Sequence, residues 1–308
     1  MSNSLVILFP GQGAQHVGMG KAWAEKFEIG REIFARADEV LGFGLSKVCF
    51  EGPESEVTRT DVAQAAIYTT SVACCEALKQ QGVIDPAHLA ATAGLSLGEY
   101  TALYMAGAFS FEDGLMLVRQ RGTFMQEAAT ATPSSMVALI GADESQANQL
   151  CDDAKGDGVL VPANFNCPGQ VVVSGSKDAC ERALTVASKM GLKATALTVA
   201  GAFHSPLMRP AADRMAAALD KANWNLPTVP VMSNVTGQPH DNDIASIKKM
   251  LVAQITQSVR WTQDVQWLIA NIPAPGARFV EPAPGKVLSG LMRRIDKAVK
   301  VENFAEPA

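Results

Sequence analysis

The sequence predicts an α/β protein with a parallel-sheet core and an inserted small subdomain. Apolar, strand-like runs alternate with segments of helical periodicity along most of the chain, which is typical of parallel α/β folds. Around 130–135 the residues become small and turn-forming, and the elements after this point follow a different order. The chain has 308 residues, 48% hydrophobic and 19% charged, so it can bury a large core.

The first part of the chain opens with an apolar run at 5–9, which a Pro-Gly pair ends. This pattern predicts a buried strand followed by a glycine-rich loop. Two helical segments, a short strand and a further helix are then expected at 21–41, 61–81, 89–94 and 99–108.

The segment after the composition change predicts the order βαββαβ, which resembles a ferredoxin-like unit. Its strands are expected at 136–140, 159–164, 170–174 and 193–199, and its helices at 143–155 and 177–190. We therefore expect a large α/β subdomain at 1–131 and 201–308 and a small subdomain at 132–200. The large subdomain resumes with a helix at 207–222 and strands at 229–233 and 277–281.

The composition argues against several classes of protein. A net charge of −5 and a pI near 5.5 do not fit the broad basic surface that nucleic-acid binding needs. No apolar run approaches the length of a membrane span, and the N-terminal run is too short for a signal peptide. The six cysteines lack C-x-x-C spacing, so we expect no metal site, no disulfide framework and a reducing, cytoplasmic location.

The pattern Gly94-Leu95-Ser96-Leu97-Gly98 lies between the strand at 89–94 and the next helix. A G-x-S-x-G turn exposes the serine hydroxyl between small residues, and the following backbone N–H can face a reacting carbonyl. The pattern therefore nominates Ser96 as a nucleophile. An ordinary glycine turn satisfies the same spacing, so other residues must decide between the two interpretations.

A serine nucleophile needs a general base, and the chain offers four histidines. His204 lies just after a predicted strand and just before a helix, where α/β folds place reactive groups. His16 follows the glycine-rich loop, His88 lies in a turn expected at the opposite end of the sheet, and His240 lies in a polar loop. Position favours His204 as the base, with a structural histidine as the alternative.

Seven short motifs extend across nearly the whole chain. They are FPGQG (9–13), GLSLGEY (94–100), RQRG (119–122), NFNCPGQ (164–170), FHSPLM (203–208), SNVT (233–236) and PGKVL (284–288). Their identity and order resemble those of malonyl-CoA:acyl carrier protein transacylases. One departure is Leu95, where many members of that family have histidine; the serine chemistry is expected to survive this change.

The resemblance implies an α/β-hydrolase-like core and an acyltransferase that moves malonyl from malonyl-CoA to the phosphopantetheine thiol of an acyl carrier protein. It implies that Ser96 carries the malonyl group, that His204 is its base and that Arg121 binds the malonyl carboxylate. The backbone amides of Gln12 and Leu97 would form the oxyanion hole. Neither a metal nor a redox cofactor is implied, and the product would supply fatty acid synthesis.

The same resemblance implies that the main-chain carbonyl of Gln254 orients the histidine, so Gln254→Ala is expected to keep most activity. It also implies that Asn166 lies near the cleft, although a turn-forming role is an alternative. Phe203 is a candidate to narrow the acyl pocket, and Met125 is a candidate to line it. Ordinary core packing is the alternative for both.

Arg121 also fits this role on chemical grounds. The planar guanidinium donates two parallel charge-assisted hydrogen bonds to a carboxylate, and burial would disfavour an acetyl group that leaves the charge unpaired. A solvated helix face is the alternative, and it is our interpretation of Arg119. The glycines beside Gln12 likewise suit either an oxyanion donor or an ordinary turn.

The expected partners are malonyl-CoA and an acidic carrier protein, and the chain is expected to be a monomer. Four residues are candidates for a basic docking patch: Lys189, Lys193, Arg293 and Arg294. A solvated surface role is the alternative for each. Three other functions stay open: a trans-acting polyketide acyltransferase, an acyl-thioester hydrolase and a non-catalytic carrier-protein-binding scaffold.

Overall fold

The computed structural model describes residues 4–272 and 277–307, so residues 1–3, 273–276 and 308 of the two large-subdomain ranges lie outside it. The strands are β1 (Leu5–Phe9), β2 (Leu89–Gly94), β3 (Ser134–Ile140), β4 (Leu160–Cys167), β5 (Gln170–Ser176), β6 (Lys193–Ala196), β7 (Met232–Ser233), β8 (Gln238–Pro239), β9 (Arg278–Pro282) and β10 (Val301–Phe304).

The helices surround these strands. They are α1 (Lys21–Lys26), α2 (Glu28–Leu41), α3 (Leu45–Glu51), α4 (Glu54–Val57), α5 (Thr60–Gln80), α6 (Gly98–Met105), α7 (Phe111–Ala131), α8 (Glu144–Ala154), α9 (Lys177–Lys189), α10 (Arg209–Lys221), α11 (Ile244–Gln254), α12 (Trp261–Asn271) and α13 (Val287–Ile295). Short 3₁₀ turns lie at Pro86–His88 and Pro206–Met208. None of the helices described is both long and apolar enough to cross a membrane.

The core is a parallel sheet in the order β10-β9-β1-β2. All five residues of β1 are buried, as expected for a strand covered on both faces. Leu5, Ile7 and Phe9 pack into a large cluster that includes α5, whereas Val6 and Leu8 pack on the opposite side with Trp261. The alternation of side chains along one strand thus builds two apolar layers.

The small sheet is antiparallel, in the order β4-β5-β3-β6. Helices α8 and α9 cover one face, where Leu139, Leu150 and Val173 are among the buried residues. This is the βαββαβ arrangement expected of a ferredoxin-like unit. The predicted fold class, a parallel core with a small antiparallel subdomain, is confirmed.

Several predicted bounds change in the structure. The last small-sheet strand ends at Ala196 rather than 199, and residues 197–200 line a cavity instead. The strand expected at 229–233 shrinks to Met232–Ser233, with one isolated bridge joining Thr92 to Val231. Pro230 has no N–H to donate, which limits regular pairing there.

The topology brings distant segments to one end of the core. Phe9 and Gly94 are paired at the carboxyl ends of β1 and β2, so the glycine-rich loop and the serine turn are neighbours. The small sheet is joined to the large subdomain through backbone hydrogen bonds between β4 and Val259. A cleft between the two parts opens above the carboxyl ends of the core strands, where α/β proteins bind ligands.

Candidate active site

Ser96 lies in a sharp turn between β2 and α6, with a left-handed backbone at φ +53°. The flanking glycines are needed for close approach. A Cβ on Gly94 would lie 1.9 Å from the carbonyl carbon of Gly98, and a Cβ on Gly98 would lie 2.2 Å from the carbonyl oxygen of Phe9. The G-x-S-x-G spacing therefore creates a compact, strained turn that presents the serine hydroxyl.

His204 lies opposite Ser96 and also has a left-handed backbone, at φ +56°. Its Nε2 lies 2.8 Å from Ser96 Oγ, and its Nδ1 lies 2.7 Å from the main-chain oxygen of Gln254. Because a carbonyl only accepts, Nδ1 carries the proton and Nε2 accepts from the serine hydroxyl. Gln254 is the last residue of α11, where helix carbonyls lack intrahelical partners.

The environment keeps this imidazole neutral. His204 is buried, and burial, helped by the nearby Arg121 charge, lowers its pKa to about 4, against the opposing effect of the Gln254 carbonyl. At neutral pH the Nε2 lone pair is therefore available to take a proton.

Arg121 lies on α7 and is only 1% exposed. Nη1 donates to Gln64 Oε1 at 2.8 Å, while Nη2 donates to Gln254 Oε1 at 2.8 Å and to Ser96 Oγ at 3.0 Å. Its Nε is buried and makes no hydrogen bond within the described residues. Burial lowers the Arg121 pKa from its ordinary value. The solvated-face alternative is wrong for this residue.

The guanidinium of Arg121 forms no ion pair with a carboxylate in the described part of the chain. Arg119 differs: its side chain is 28% exposed and lies 3.2 Å from the carboxylate of Asp61. Arg121 thus has only neutral hydrogen-bond partners, with the charge of Glu99 nearby but not in contact, and such a buried cation suits a ligand that supplies a paired carboxylate.

The backbone around the serine turn leaves few free donors. The N–H of Ser96 donates to Asn234 Oδ1 at 2.6 Å, and the N–H groups of Gly98 and Glu99 donate to carbonyls of the turn. Within residues 4–272 and 277–307, the amides of Leu97 and Gln12 have no protein acceptor. Leu97 immediately precedes α6, so its N–H belongs to a helix N-terminus, which favours negative charge.

A cavity of about 780 Å³ opens over Ser96 and His204. Its wall includes Leu95 and four of the residues predicted from the sequence: Gln12, Asn166, Met125 and Phe203. The Oδ1 atom of Asn166 is buried with no partner in the described structure, so it can accept from a ligand. Met125 is also a core residue, and its sulfur lies 3.6 Å from Gln64 Nε2.

Gln254 does more than the sequence suggested. Besides its main-chain contact to His204, its Oε1 accepts from Arg121, and its Nε2 donates to the Ser96 carbonyl at 2.9 Å and to Glu99 Oε2 at 2.7 Å. The expectation that Gln254 acts only through its main chain is corrected, because the side chain links the serine turn to the arginine.

Sequence reasoning also missed a buried polar group behind the serine. Asn234 and Glu99 occur in quoted motifs, yet no role follows from those motifs alone. Asn234 Nδ2 donates to Asp264 Oδ2 at 2.8 Å, and Glu99 Oε1 lies 2.7 Å from His240 Nε2. His240 lies in the loop between β8 and α11, as expected, but its side chain is only 2% exposed.

No group of three or more histidine, cysteine or acidic side chains in the described ranges is arranged to hold a metal ion. The arrangement around Ser96 instead combines a serine hydroxyl, a neutral imidazole, two amide donors and a buried cation. These groups suit acyl transfer to and from a serine oxygen, with a carboxylate on the acyl group.

Comparisons with known proteins agree with this chemistry. A family model described as an acyl transferase domain matches residues 6–302. The malonyl CoA-acyl carrier protein transacylase of Bacillus subtilis (strain 168) is 41% identical over 307 residues, covering 99% of this chain and 94% of that protein. The protein of the same name from Escherichia coli (strain K12) is 41% identical over 303 residues, with 98% and 96% covered.

Two solved structures are similar over almost their full length. The malonyl-CoA:acyl carrier protein transacylase of Xanthomonas oryzae pv. oryzae has a TM-score of 0.92 and 42% identity, with 99% of this chain and 95% of that chain covered. A malonyl-transacylase in complex with a type II PKS acyl-carrier protein has a TM-score of 0.93 and 34% identity, with 99% and 96% covered.

Proposed function

The chain belongs to the acyl transferase family, and we propose that it transfers a malonyl group from malonyl-CoA to the phosphopantetheine thiol of an acyl carrier protein. The observation that carries this proposal is Arg121, a buried cation without a carboxylate partner, 3.0 Å from Ser96 Oγ. In malonyl-CoA one methylene separates the carboxylate from the thioester carbonyl. A carboxylate bound at Arg121 therefore puts that carbonyl within reach of the serine.

In the first half-reaction His204 Nε2 takes the proton of Ser96 as Oγ attacks the thioester carbonyl. The main-chain oxygen of Gln254 accepts from Nδ1 and stabilises the imidazolium that forms. The tetrahedral oxyanion receives hydrogen bonds from the amides of Gln12 and Leu97. The carbon–sulfur bond then breaks, and the CoA sulfur takes the proton from His204, which leaves malonyl-Ser96.

The second half-reaction reverses these steps. His204 takes the proton of the phosphopantetheine thiol, whose sulfur attacks the malonyl ester, and Ser96 regains its proton as the carbon–oxygen bond breaks. No atom changes its oxidation state, so the proposed steps need no redox cofactor. They also need no metal, because His204 carries the protons and the two amides bind the oxyanion. We infer that Asn166, Met125 and Phe203 contact the acyl chain, since all three line the cavity.

For the carrier protein we propose docking on a basic surface formed by Lys189, Lys193, Arg293 and Arg294. Arg294 on α13 donates to Gln170 Oε1 at 2.8 Å and so joins the large subdomain to the β4–β5 turn. Lys193 is paired with Ile140, one of the exposed large apolar side chains, on the adjacent strand. Positive charge around an apolar contact suits an acidic partner.

We further propose a monomer in the cytoplasm that supplies fatty acid synthesis. The large apolar side chains that are exposed in the described ranges are few, namely Val17, Met116, Ile140, Leu226 and Val287, and the cysteines are free and buried. Size-exclusion chromatography with light scattering tests the monomer. Comparing transfer to fatty-acid and polyketide carrier proteins tests the pathway.

The central experiment is intact-protein mass spectrometry after brief incubation with malonyl-CoA, followed by addition of holo acyl carrier protein. We expect a malonyl adduct that Ser96→Ala abolishes and that moves to the carrier. An adduct lost equally fast to water would indicate a thioester hydrolase instead. The absence of any adduct would indicate a non-catalytic carrier-binding protein.

A further inference from the structure

We propose that Asn234 is a positioning residue for the nucleophile, which holds Ser96 in its left-handed conformation and thereby sets the rate of acylation. The inference rests on the proposed transfer reaction and adds to it a residue that touches neither the substrate nor the base. Asn234 lies directly after β7 and is fully buried.

The side chain of Asn234 spans the serine turn. Its Oδ1 accepts from the backbone N–H of Ser96 at 2.6 Å, and its Nδ2 donates to the carbonyl of Gly94 at 2.9 Å. One amide therefore binds the turn on both sides of Leu95. These contacts replace the strand pairing that ends at Gly94, so the turn keeps its hydrogen bonds while the chain reverses direction.

Ser96 needs such support because its backbone is strained. A non-glycine residue at φ +53° costs on the order of 1–3 kcal/mol and persists only where its surroundings enforce it. Here both polar groups of the residue are held by side chains: the N–H by Asn234 and the carbonyl by Gln254 Nε2 at 2.9 Å. Relaxation to negative φ would break both bonds.

The orientation of the Asn234 amide is determined by its neighbours. Nδ2 donates to two acceptors, Gly94 O and Asp264 Oδ2, and Oδ1 receives Ser96 N–H and Gln254 Nε2. A flipped amide would place its oxygen against two acceptors and its NH₂ against two donors. Only one rotamer of the amide satisfies the site, which makes it a rigid support.

A second set of bonds fixes Asn234 itself. Its backbone N–H donates to Glu99 Oε2 at 3.1 Å, and its carbonyl accepts from Arg260 N at 2.7 Å. Burial, together with the charge of Glu99, raises the pKa of Asp264 well above its usual range. The Nδ2 group of Asn234 is bonded to both Asp264 Oδ2 and Gly94 O, so the amide is fixed from both sides.

The bond to Ser96 N–H also has a chemical consequence. It occupies the one amide of the nucleophile that could compete with Leu97 for the developing oxyanion. Asn234 therefore determines which backbone amide is free to bind the oxyanion, in addition to the conformation of Ser96. Arg121 makes no hydrogen bond to Asn234: it is held by Gln64 and by Gln254 Oε1, whereas Asn234 contacts Gln254 only through Nε2, at 3.2 Å. We therefore expect the choice of acyl group to be kept when Asn234 is changed.

The test measures single-turnover acylation of Asn234→Ala by malonyl-CoA and by acetyl-CoA. We expect both rates to fall about 10–100-fold, because a displacement of the nucleophile of about 1 Å has effects of this size. The ratio of the two rates should stay within twofold of the parent. Malonyl-CoA binding, measured by calorimetry in Ser96→Ala and in the Ser96→Ala/Asn234→Ala double variant, should also be unchanged.

Ser233→Ala is the matched control, since Ser233 is adjacent, fully buried and has a hydroxyl without a hydrogen-bond partner in the described structure. It should retain the parent rate. If the parent is not acylated at all, the proposed function fails. If the parent is acylated and Asn234→Ala matches it, or Ser233→Ala falls equally, only the role of Asn234 is overturned.

A thermodynamic cycle separates positioning from general destabilisation. Glycine tolerates positive φ, so Ser96→Gly relieves backbone strain only where the surroundings force residue 96 to keep a positive φ. In the parent, Asn234 does so; in Asn234→Ala the turn can relax. We therefore expect the change in the folded-to-unfolded equilibrium constant caused by Ser96→Gly to be about fivefold less favourable in Asn234→Ala than in the parent. Equal effects in the two backgrounds would contradict the proposal.

Should Asn234→Ala fail to fold, Asn234→Asp serves instead. A neutral aspartic acid keeps an acceptor for Ser96 and one donor, whereas the carboxylate would face Gly94 O and Asp264. Acylation by this variant should decline with rising pH across a range in which the parent rate is constant. A flat profile at the parent rate would refute the proposal.

Discussion

Replacing Arg121 by methionine is expected to remove the preference for malonyl over acetyl. Methionine keeps much of the side-chain volume but has neither charge nor fork, so a malonyl carboxylate would enter a buried site without a partner. Acetyl would meet an apolar wall in place of an unpaired guanidinium. The substitution should therefore change kcat/KM for malonyl-CoA and for acetyl-CoA in opposite directions or to very different extents.

The magnitude follows from the burial of the site. Arg121 is 1% exposed and its partners, Gln64, Gln254 and Ser96, are all neutral. Removing one member of a buried charge pair costs about 3–5 kcal/mol. At about 1.4 kcal/mol per factor of ten, kcat/KM for malonyl-CoA should fall by roughly 10²–10³·⁵. Acetyl-CoA should change by less than about tenfold in kcat/KM.

The assay is rapid-quench acylation of Ser96 with each substrate, analysed by intact mass. Arg119→Met is the matched control, because Arg119 lies two residues earlier on α7 and contacts Asp61 instead of the cavity. Arg121→Lys should retain part of the malonyl rate, since it keeps the charge and loses the fork. Equal losses for malonyl and acetyl in Arg121→Met would refute the assigned role.

Four further predictions rest on the same geometry. The acylation rate should stay level from pH 8 to about 5 and halve near pH 4, where His204 becomes protonated; a midpoint near 6.5 would contradict the burial effect. The imidazole titrates near 6.5 in the unfolded chain, so the free energy of unfolding should fall by about 3 kcal/mol as the pH falls from 6.5 to 4. Denaturant titrations of His204→Gln should show no such pH-dependent loss from this residue. Gln254→Ala should lower malonyl acylation by about tenfold or more through its lost bonds to Arg121 and Ser96; full activity would restore a purely main-chain role. Gly98→Ala should destabilise the fold by about 1–3 kcal/mol in chemical denaturation, because its Cβ would lie 2.2 Å from Phe9 O, whereas Gly290→Ala, with open space around it, should not.

Sequence patterns were most informative where local chemistry decides the conformation. The run at Leu5–Phe9 is apolar on both faces, so it predicted a central strand, and that strand has these bounds. The strand at Leu89–Gly94 was located equally well because Gly94 ends it. The strand expected at 193–199 was too long, since nothing in that segment of the sequence shows that 197–200 turn away to line the cavity.

In the candidate site, the identities of the main residues were predictable from the sequence, whereas their surroundings were not. Ser96, His204 and Arg121 were nominated from residue type, spacing and family resemblance, and the fold brings them within hydrogen-bonding distance of one another at Ser96 Oγ. Their burial was not predictable, because it depends on elements far away in the chain. Arg119 and Arg121 look alike in sequence, yet one lies against Asp61 near the surface and the other in the interior.

By itself the sequence determined the α/β class, the strained glycine turn and the chemical groups available for acyl transfer, because backbone conformation and side-chain chemistry are encoded locally. Only the tertiary structure decided that Gln254 binds with its side chain as well as its main chain, that His240 is buried beside Glu99 and that Asn234 holds Ser96. These partners are separated by 133, 141 and 138 residues along the chain. Their hydrogen bonds are set by how helices and sheets pack, which no short pattern records.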